Sequence, residues 1–384
     1  MRQNVFEFMA HRVFISAAEP SADHHCAKLI EAAKNTETPM SFVGLGGSHM
    51  QKAGCQIIES MAQRAAMHYN VLGQIGYYFR VLRQIKNYFK TNKVDLVILC
   101  DSPSFNFHVA KIAKKAGIKT LFYVAPQLWA WAPWRIRKMR RLCDMLACLL
   151  PFEEKYFSSR GIKTKFVGNP LFDDAPPALE QARASHTFNQ ETPTIAIMPG
   201  SRKAELETLY EPMQQIALKV ARKKPGAKFL IVAANDNTKM YLQSKAIRQL
   251  RAEISVNTVI ESAARADLVL VASGSATLQV AATGTVPVIM YQSNKILWHL
   301  IGRHLVRIPN LALVNIVAGR RLVPEFMPCF GSIEPIYKEC MRLLTCEPAQ
   351  LQKLHDDLVH ITEPMLKNNA SQTTAKIVCD MLEK

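Results

Sequence analysis

Short apolar runs rich in β-branched and aromatic residues alternate with longer amphipathic stretches, and this chain does so in two successive series. That alternation argues for parallel strands, because parallel neighbours need a crossover and a helix supplies it. The first series predicts strands at 12–17 (RVFISA), 41–45 (SFVGL), 95–100 (DLVILC), 119–124 (KTLFYV), 145–150 (MLACLL) and 165–168 (KFVG), with helical patterns such as 73–91 and 105–116 between them. Residues 169–193 hold four prolines and little periodicity, and read as a linker. The second series predicts strands at 194–199, 227–234, 266–273 and 286–291, and 348–384 looks purely helical. At 384 residues the chain exceeds what one core usually serves. The expected architecture is α/β: two facing Rossmann-like domains at 1–170 and 194–347, a linker at 171–193, and C-terminal helices at 348–384.

Charge narrows the partners. The net charge is +17, and residues 51–150 carry 16 Lys and Arg against 4 Asp and Glu. A surplus so localised points to a polyanion: phosphate groups, nucleic acid or an anionic membrane face. The block PQLWAWAPWRIRKMRR (126–141) and the stretch NVLGQIGYYFRVLRQIKNYFK (70–90) both interleave aromatic with basic residues. The second has the makeup of a helix lying in the headgroup plane, with Tyr77, Tyr78, Phe79 and Phe89 among Arg80, Arg83, Lys86 and Lys90. No nucleic-acid-binding motif accompanies the charge, so nucleic acid is disfavoured. The uncharged run 268–291 is long enough to span a bilayer, but Gly274, Gly284 and Pro287 divide it into strand, turn, helix and strand. Nine cysteines stand singly without a CxxC pair, which suits reduced thiols in a cytoplasm. The opening residues lack the apolar core and cleavage site of a secretory signal.

In doubly wound sheets, ligands bind beyond the carboxyl ends of the strands, so chemistry is sought there. Two loops of the second series suit an anion: MPGSRKAE (198–205), with Gly200, Ser201 and Arg202, and VASGSATLQVAA (271–282), with Ser273, Gly274, Ser275 and Thr277. Such turns also use Gly and Ser merely to cap a helix. Together they suggest a nucleotide diphosphate. The P-loop lysine pattern and the dinucleotide glycine fingerprint are both absent. In the first series Glu19, Asp23 and Asp101 follow strands. Asp101 is placed to act as a general base or to cap the next helix, with His24, His25 and His108 as other candidate bases. VGLGGSHMQKAG (43–54) reads as a tight turn. No metal-ligand spacing occurs, and neither metal nor cofactor is expected.

Nine ordered segments resemble lipid-A-disaccharide synthases, inverting glycosyltransferases of the two-Rossmann-domain (GT-B) type: AEPSADHHCAKLI, FVGLGGSHMQKAGC, CDSPSFNF, YVAPQLWAWAPWRIRKM, LLPFEEKYF, FVGNPL, MPGSRKAEL, ASGSATLQVA and VNIVAGRRLVPEF. The resemblance implies transfer of 2,3-diacylglucosamine from UDP to the 6-hydroxyl of 2,3-diacylglucosamine 1-phosphate. It implies Asp101 as base with Glu19 assisting, and donor contacts from Gly200, Ser201, Arg202, Ser273, Gly274, Ser275, Thr277, Gln279 and Asn315. On the acceptor side it implies Ser21, Asp23, His25, Trp129 and Trp131, the tryptophans packing the cleft wall. It places the enzyme peripherally on the cytoplasmic face of the inner membrane, touching anionic lipid, and leaves a homo-oligomer open. The chain departs from the family pattern at Ala18, Pro20 and Ala22, at Ser104, at Asn169 where His is usual, and at Gln279 where Glu is expected. Those departures keep two rivals open: another enzyme of UDP-sugars acting on a soluble substrate, and an inactive membrane-binding paralogue.

Overall fold

The computed structural model describes residues 10–61, 71–293, 298 and 308–383. The first nine residues of the expected first domain, and Asn70 of the amphipathic stretch, lie outside them. The described chain divides into two compact units, 1–173 with 364–384, and 174–363.

The first unit carries strands β1 (His11–Ala17), β2 (Met40–Leu45), β3 (Gln56–Glu59), β4 (Leu96–Cys100), β5 (Lys119–Tyr123), β6 (Met145–Cys148) and β7 (Thr164–Phe166). Its helices are α1 (Pro20–Ala33), α2 (Ser48–Lys52), α3 (Val71–Thr91), α4 (Pro103–Lys115), α5 (Leu128–Trp131), α6 (Ile136–Leu142) and α7 (Pro151–Ser158). The sheet runs β3-β2-β1-β4-β5-β6-β7, all parallel. Both faces are covered, which is why LVILC reads as an unbroken apolar run. Period-2 alternation sends Val97 and Leu99 to the layer of α3, α4 and α6, and Leu96, Ile98 and Cys100 to the opposite layer. Phe89 of α3, expected at a membrane, is instead buried edge-on against Phe14 at 4.9 Å. Tyr78 and Phe79 stay exposed.

The second unit carries α8 (Pro177–Ala184), β8 (Thr194–Met198), α9 (Lys203–Lys223), β9 (Lys228–Ala233), α10 (Asp236–Ser244), β10 (Glu253–Val256), α11 (Val259–Ala264), β11 (Leu268–Ala272), α12 (Ala276–Ala282), β12 (Val286–Met290), α13 (Leu313–Ala318), β13 (Glu325–Phe326) and α14 (Glu334–Thr345). Its sheet order is β10-β9-β8-β11-β12-β13, again all parallel. The run 268–291 is thus strand, helix and strand, and no described helix is long and apolar enough to cross a membrane.

Three details differ from the sequence reading. The strand expected at 145–150 stops at Cys148, because Pro151 opens α7 and the chain must turn first. The expected linker contains α8, whose Arg183 donates to the carbonyls of Ala282 and Val359 and to the Thr362 hydroxyl. The terminal helices are not a separate piece. The helix α15 (Pro348–Leu366) ends in the first unit, and α16 (Ala370–Leu382) packs on α1 there. The Asp173 carboxylate caps α16 by accepting the Ala370 and Ser371 amides at 2.7 and 3.0 Å. Asn169 is buried beside this join and accepts the Leu171 amide at 3.1 Å.

Candidate active site

β1 and β4 are neighbours in the first sheet, yet β1 leads on to β2 on one side and β4 to β5 on the other. This is the topological switch point, where a crevice opens beyond the strand ends. Ala17 and Cys100 pair at the last register position, so the loops after them emerge side by side. One carries Glu19 and the other Asp101. The Ser102 hydroxyl donates to Glu19 Oε1 at 2.9 Å and ties the loops together.

The second loop is strained. Asp101 and Ser102 lie at φ +52° and +42°, two successive non-glycine residues in the left-handed region. Each costs about 1–3 kcal/mol and persists only where the surroundings impose it. The surroundings here centre on buried Asn106. Its Nδ2 donates to the carbonyls of Asp101 and Cys100 at 2.7 and 3.0 Å, and its Oδ1 accepts the Ser16 hydroxyl at 2.7 Å. Ser102, not Asp101, holds the N-cap position of α4, so Asp101 is not the helix cap. Val124, just past β5, is also left-handed at φ +69°, which for a β-branched residue is a true outlier. The strain of the first unit thus gathers at the carboxyl edge of its sheet.

The remaining first-unit residues divide. Asp23 is buried and accepts the amides of Gly47, His49 and Met50 at 2.7, 3.1 and 3.1 Å, capping α2. It shapes the glycine turn and has few lone pairs left for a substrate. Burial, then the charges of His24 and Lys28, pulls His25 down to about 4, and its Nδ1 has no hydrogen-bond partner. Ser21 is exposed in the first turn of α1. Trp129 donates its indole N–H to Glu153 Oε1 at 3.0 Å, and Trp131 carries the Arg135 guanidinium over its ring at 5.1 Å. Burial pushes Glu153 up to about 7, while the bonds from Trp129 and the Leu150 amide oppose it. The tryptophans are therefore held by partners, while Trp134 is exposed.

The second unit repeats the switch point between β8 and β11, whose registers bring Met198 beside Val271. The two loops suggested by sequence lie together here. Gly200 is at φ +103°, and an added Cβ would stand 2.4 Å from Glu205 Oε2, so no other residue fits without movement. That same oxygen accepts the Ser201 and Arg202 amides at 3.1 and 3.2 Å. The anion position at the start of α9 is thus occupied by the chain's own carboxylate. The Arg202 side chain is exposed, with a loose contact to Glu205 at 3.4 Å. In the other loop Gly274 and Ser275 are exposed and Ser273 and Gln279 half-buried. Thr277 is fully buried and spends its hydroxyl on the Gly274 carbonyl at 2.7 Å, so it shapes the turn.

Asn315 likewise spends its side chain within the protein. It is fully buried, and its four bonds run to the Val323 carbonyl, Glu325 Oε2, and the amides of Leu322 and Val323, at 2.8–3.0 Å. These four bonds use the full capacity of an amide side chain, so a donor contact from Asn315 would have to replace one of them. Sequence reasoning passed over Asn106, Glu153 and Glu205. Asn106 left a faint signal: an asparagine within a helix it disfavours, four residues beyond a strand-end Ser. Among the described residues no group of His, Cys, Asp and Glu side chains could hold a metal ion.

The family pattern described as lipid-A-disaccharide synthetase matches residues 13–378. Lipid-A-disaccharide synthase of Geobacter metallireducens is 32% identical over 377 residues, covering 97% of this chain and 98% of the relative. The synthase of Coxiella burnetii is also 32% identical, covering 96% and 98%. The chain belongs to the lipid-A-disaccharide synthetase family. It is therefore a glycosyltransferase, and the resemblance carried by the nine segments holds. Among solved structures, S. aureus MnaA in complex with UDP gives a TM-score of 0.61 at 11% identity, over 98% of both chains. Acinetobacter baumannii MurG gives 0.56 at 15% identity, over 96% of this chain and 99% of that one. These share the fold: two Rossmann-like α/β sheets, as the alternating pattern implied.

Proposed function

We propose that the protein moves 2,3-diacylglucosamine from UDP to the 6-hydroxyl of 2,3-diacylglucosamine 1-phosphate, forming the β-1',6-linked disaccharide 1-phosphate and UDP. Family membership supports the reaction, and the UDP named in the MnaA structure supports the leaving group. The observation that carries the mechanism is the left-handed Asp101–Ser102 turn, clasped by Asn106 and joined to Glu19. In this reading Asp101 takes the proton from the attacking hydroxyl, a contribution of roughly 10²–10⁴-fold. Glu19 orients the acceptor and, through Ser102, the loop. A single in-line displacement assisted by one carboxylate inverts the anomeric centre.

In the second unit, the exposed loop at Ser273, Gly274 and Ser275, with Gln279 beside it, receives the nucleotide. Arg202 offsets charge building on the departing diphosphate. Glu205 must yield the Ser201 and Arg202 amides if the phosphates use them as well. The first unit is the acceptor-side unit, and its exposed Phe79, Tyr78 and Trp134 among basic residues suit peripheral contact with an anionic membrane on its cytoplasmic side.

The test is mass spectrometry of products from the two lipid substrates in mixed micelles, beside an Asp101→Asn variant. A disaccharide 1-phosphate from the wild type, strongly reduced in the variant, is the expected result. Absence of product from folded wild-type protein defeats the proposal, and undiminished product from the variant moves the base elsewhere.

A further inference from the structure

Helices α4 and α6 enclose a cavity of about 310 Å³ lined by His108, Lys111, Lys138, Arg141 and Leu142. Four of these five side chains carry basic nitrogen. Among the described residues none of the four has an ion pair. The neighbouring Asp144 is held by Lys114 and by the backbone N–H and hydroxyl of Thr120. Lys138 rests over the Phe107 ring at 4.8 Å, which leaves its ammonium without a carboxylate. The bases also feel one another. Burial, followed by the charges of Arg135, Lys111 and Arg141, draws Lys138 below the usual ammonium range. Burial, followed by Lys138 and Lys111, lowers His108. Like charges gathered round a concavity oppose the fold, and a bound group bearing several anionic oxygens reverses that sign.

The surroundings bear on what carries those oxygens. α4 contacts α3 on one side and α6 on the other. α3 presents Phe79, 69% exposed, and Trp134, 56% exposed, stands just before α6. A cationic cavity in a helical layer that also carries exposed aromatic tips suits a molecule with an anionic head and an apolar body.

We propose that this cavity holds a phosphate group carried by an amphiphile, with Arg141 engaging two oxygens as a fork, Lys111 and Lys138 supplying point charges, and His108 donating a hydrogen bond. The phosphate rests on the cavity alone; the amphiphile rests on the lipid-handling reading above. Two sources share the chemistry, the acceptor's own 1-phosphate and the headgroup of an anionic phospholipid.

Lysine acylation of the full chain, followed by mass spectrometry at fixed ionic strength, tests the phosphate whether or not the enzyme turns over. Glucosamine 1-phosphate at ten times its dissociation constant is expected to slow labelling of Lys111 and Lys138 by about tenfold, by mass action. Lys115 and Lys163, exposed elsewhere in the unit, serve as internal references. Equal slowing at all four lysines, or none at any, overturns the proposal. Two arms then separate the sources with a Lys111→Ser, Arg141→Ser variant. If the acceptor KM in uncharged micelles rises with kcat and UDP affinity unchanged, the pocket holds the acceptor phosphate. If that KM is unchanged but binding to phosphatidylcholine vesicles containing phosphatidic acid is lost, it holds the headgroup. A Lys115→Ser, Lys163→Ser variant removes the same charge outside the cavity; matching losses there reduce the effect to diffuse attraction and overturn the site.

Discussion

Replacing Asp101 by glycine should relieve the backbone and disable the chemistry at once. A side chain in the left-handed region costs about 1–2 kcal/mol, which glycine does not incur. Glycine's extra freedom in the unfolded chain takes back about 0.5–1 kcal/mol. The backbone share is a net gain of about 0.5–1 kcal/mol, worth about 1–4 °C of Tm at about 2–4 °C per kcal/mol for a unit of this size, less whatever the carboxylate's own contacts contribute. Losing a general base lowers kcat by roughly 10²–10⁴-fold, which corresponds to about 2.7–5.5 kcal/mol of barrier. Asp101→Asn is the companion variant: asparagine tolerates φ +52° much as aspartate does, so its Tm should hold while kcat falls as far. Thermal melts and product quantification on the same samples decide the matter. If the glycine variant melts lower than wild type, the carboxylate is holding the loop and its strain is not functional. If the asparagine variant keeps its kcat, Asp101 is not the base.

Three further outcomes follow from the geometry. Glu153, pushed up to about 7 in the folded protein from an ordinary 4.5, binds its proton more tightly folded than unfolded, so stability should fall as pH rises from about 4.5 to 7 and level off above. Glu153→Gln should flatten that part of the Tm profile, removing at most about 3 kcal/mol of pH dependence, and an unchanged profile would contradict the assignment. Arg202→Ala should weaken UDP binding about 10–100-fold in calorimetry, the value of a charged hydrogen bond, without moving the Tm, since the side chain is exposed and its ion pair loose. Asn315→Ala should lower stability by about 3 kcal/mol in urea denaturation by orphaning buried partners, while folded protein keeps its UDP affinity. A selective loss of UDP binding would identify Asn315 as a donor contact.

The sheets were legible because their central strands are buried on both faces and read as uninterrupted apolar runs. Of the four edge strands only β7 was foreseen, at 165–168, where Phe166 and Val167 are apolar; β3, β10 and β13 were not, because half-buried stretches of two to four residues carry little period to detect. Glu19 and Asp101 were legible as strand-end carboxylates. The left-handed backbone at Asp101 was not, since Asn106, which enforces it, lies one helical turn away and looks like an ordinary interior residue. The buried bonding of Asn315 was hidden for a related reason: a motif reports which residues travel together, and a buried clasp travels as faithfully as a ligand contact. Glu205 shows the opposite limit. Nothing in GSRKAE tells whether the loop amides face a ligand or their own helix's carboxylate three residues on.

The return of α16 to the first unit has a consequence for how the chain is made. Domains usually fold as units in the order in which they are synthesised. Here α16 packs on α1, and Asp173 waits for the amides of Ala370 and Ser371. The second unit can close on itself while the first still lacks a helix from one face of its sheet. The first unit is therefore begun before the second and completed after it, and α1 stays uncovered by α16 until the second unit has been synthesised.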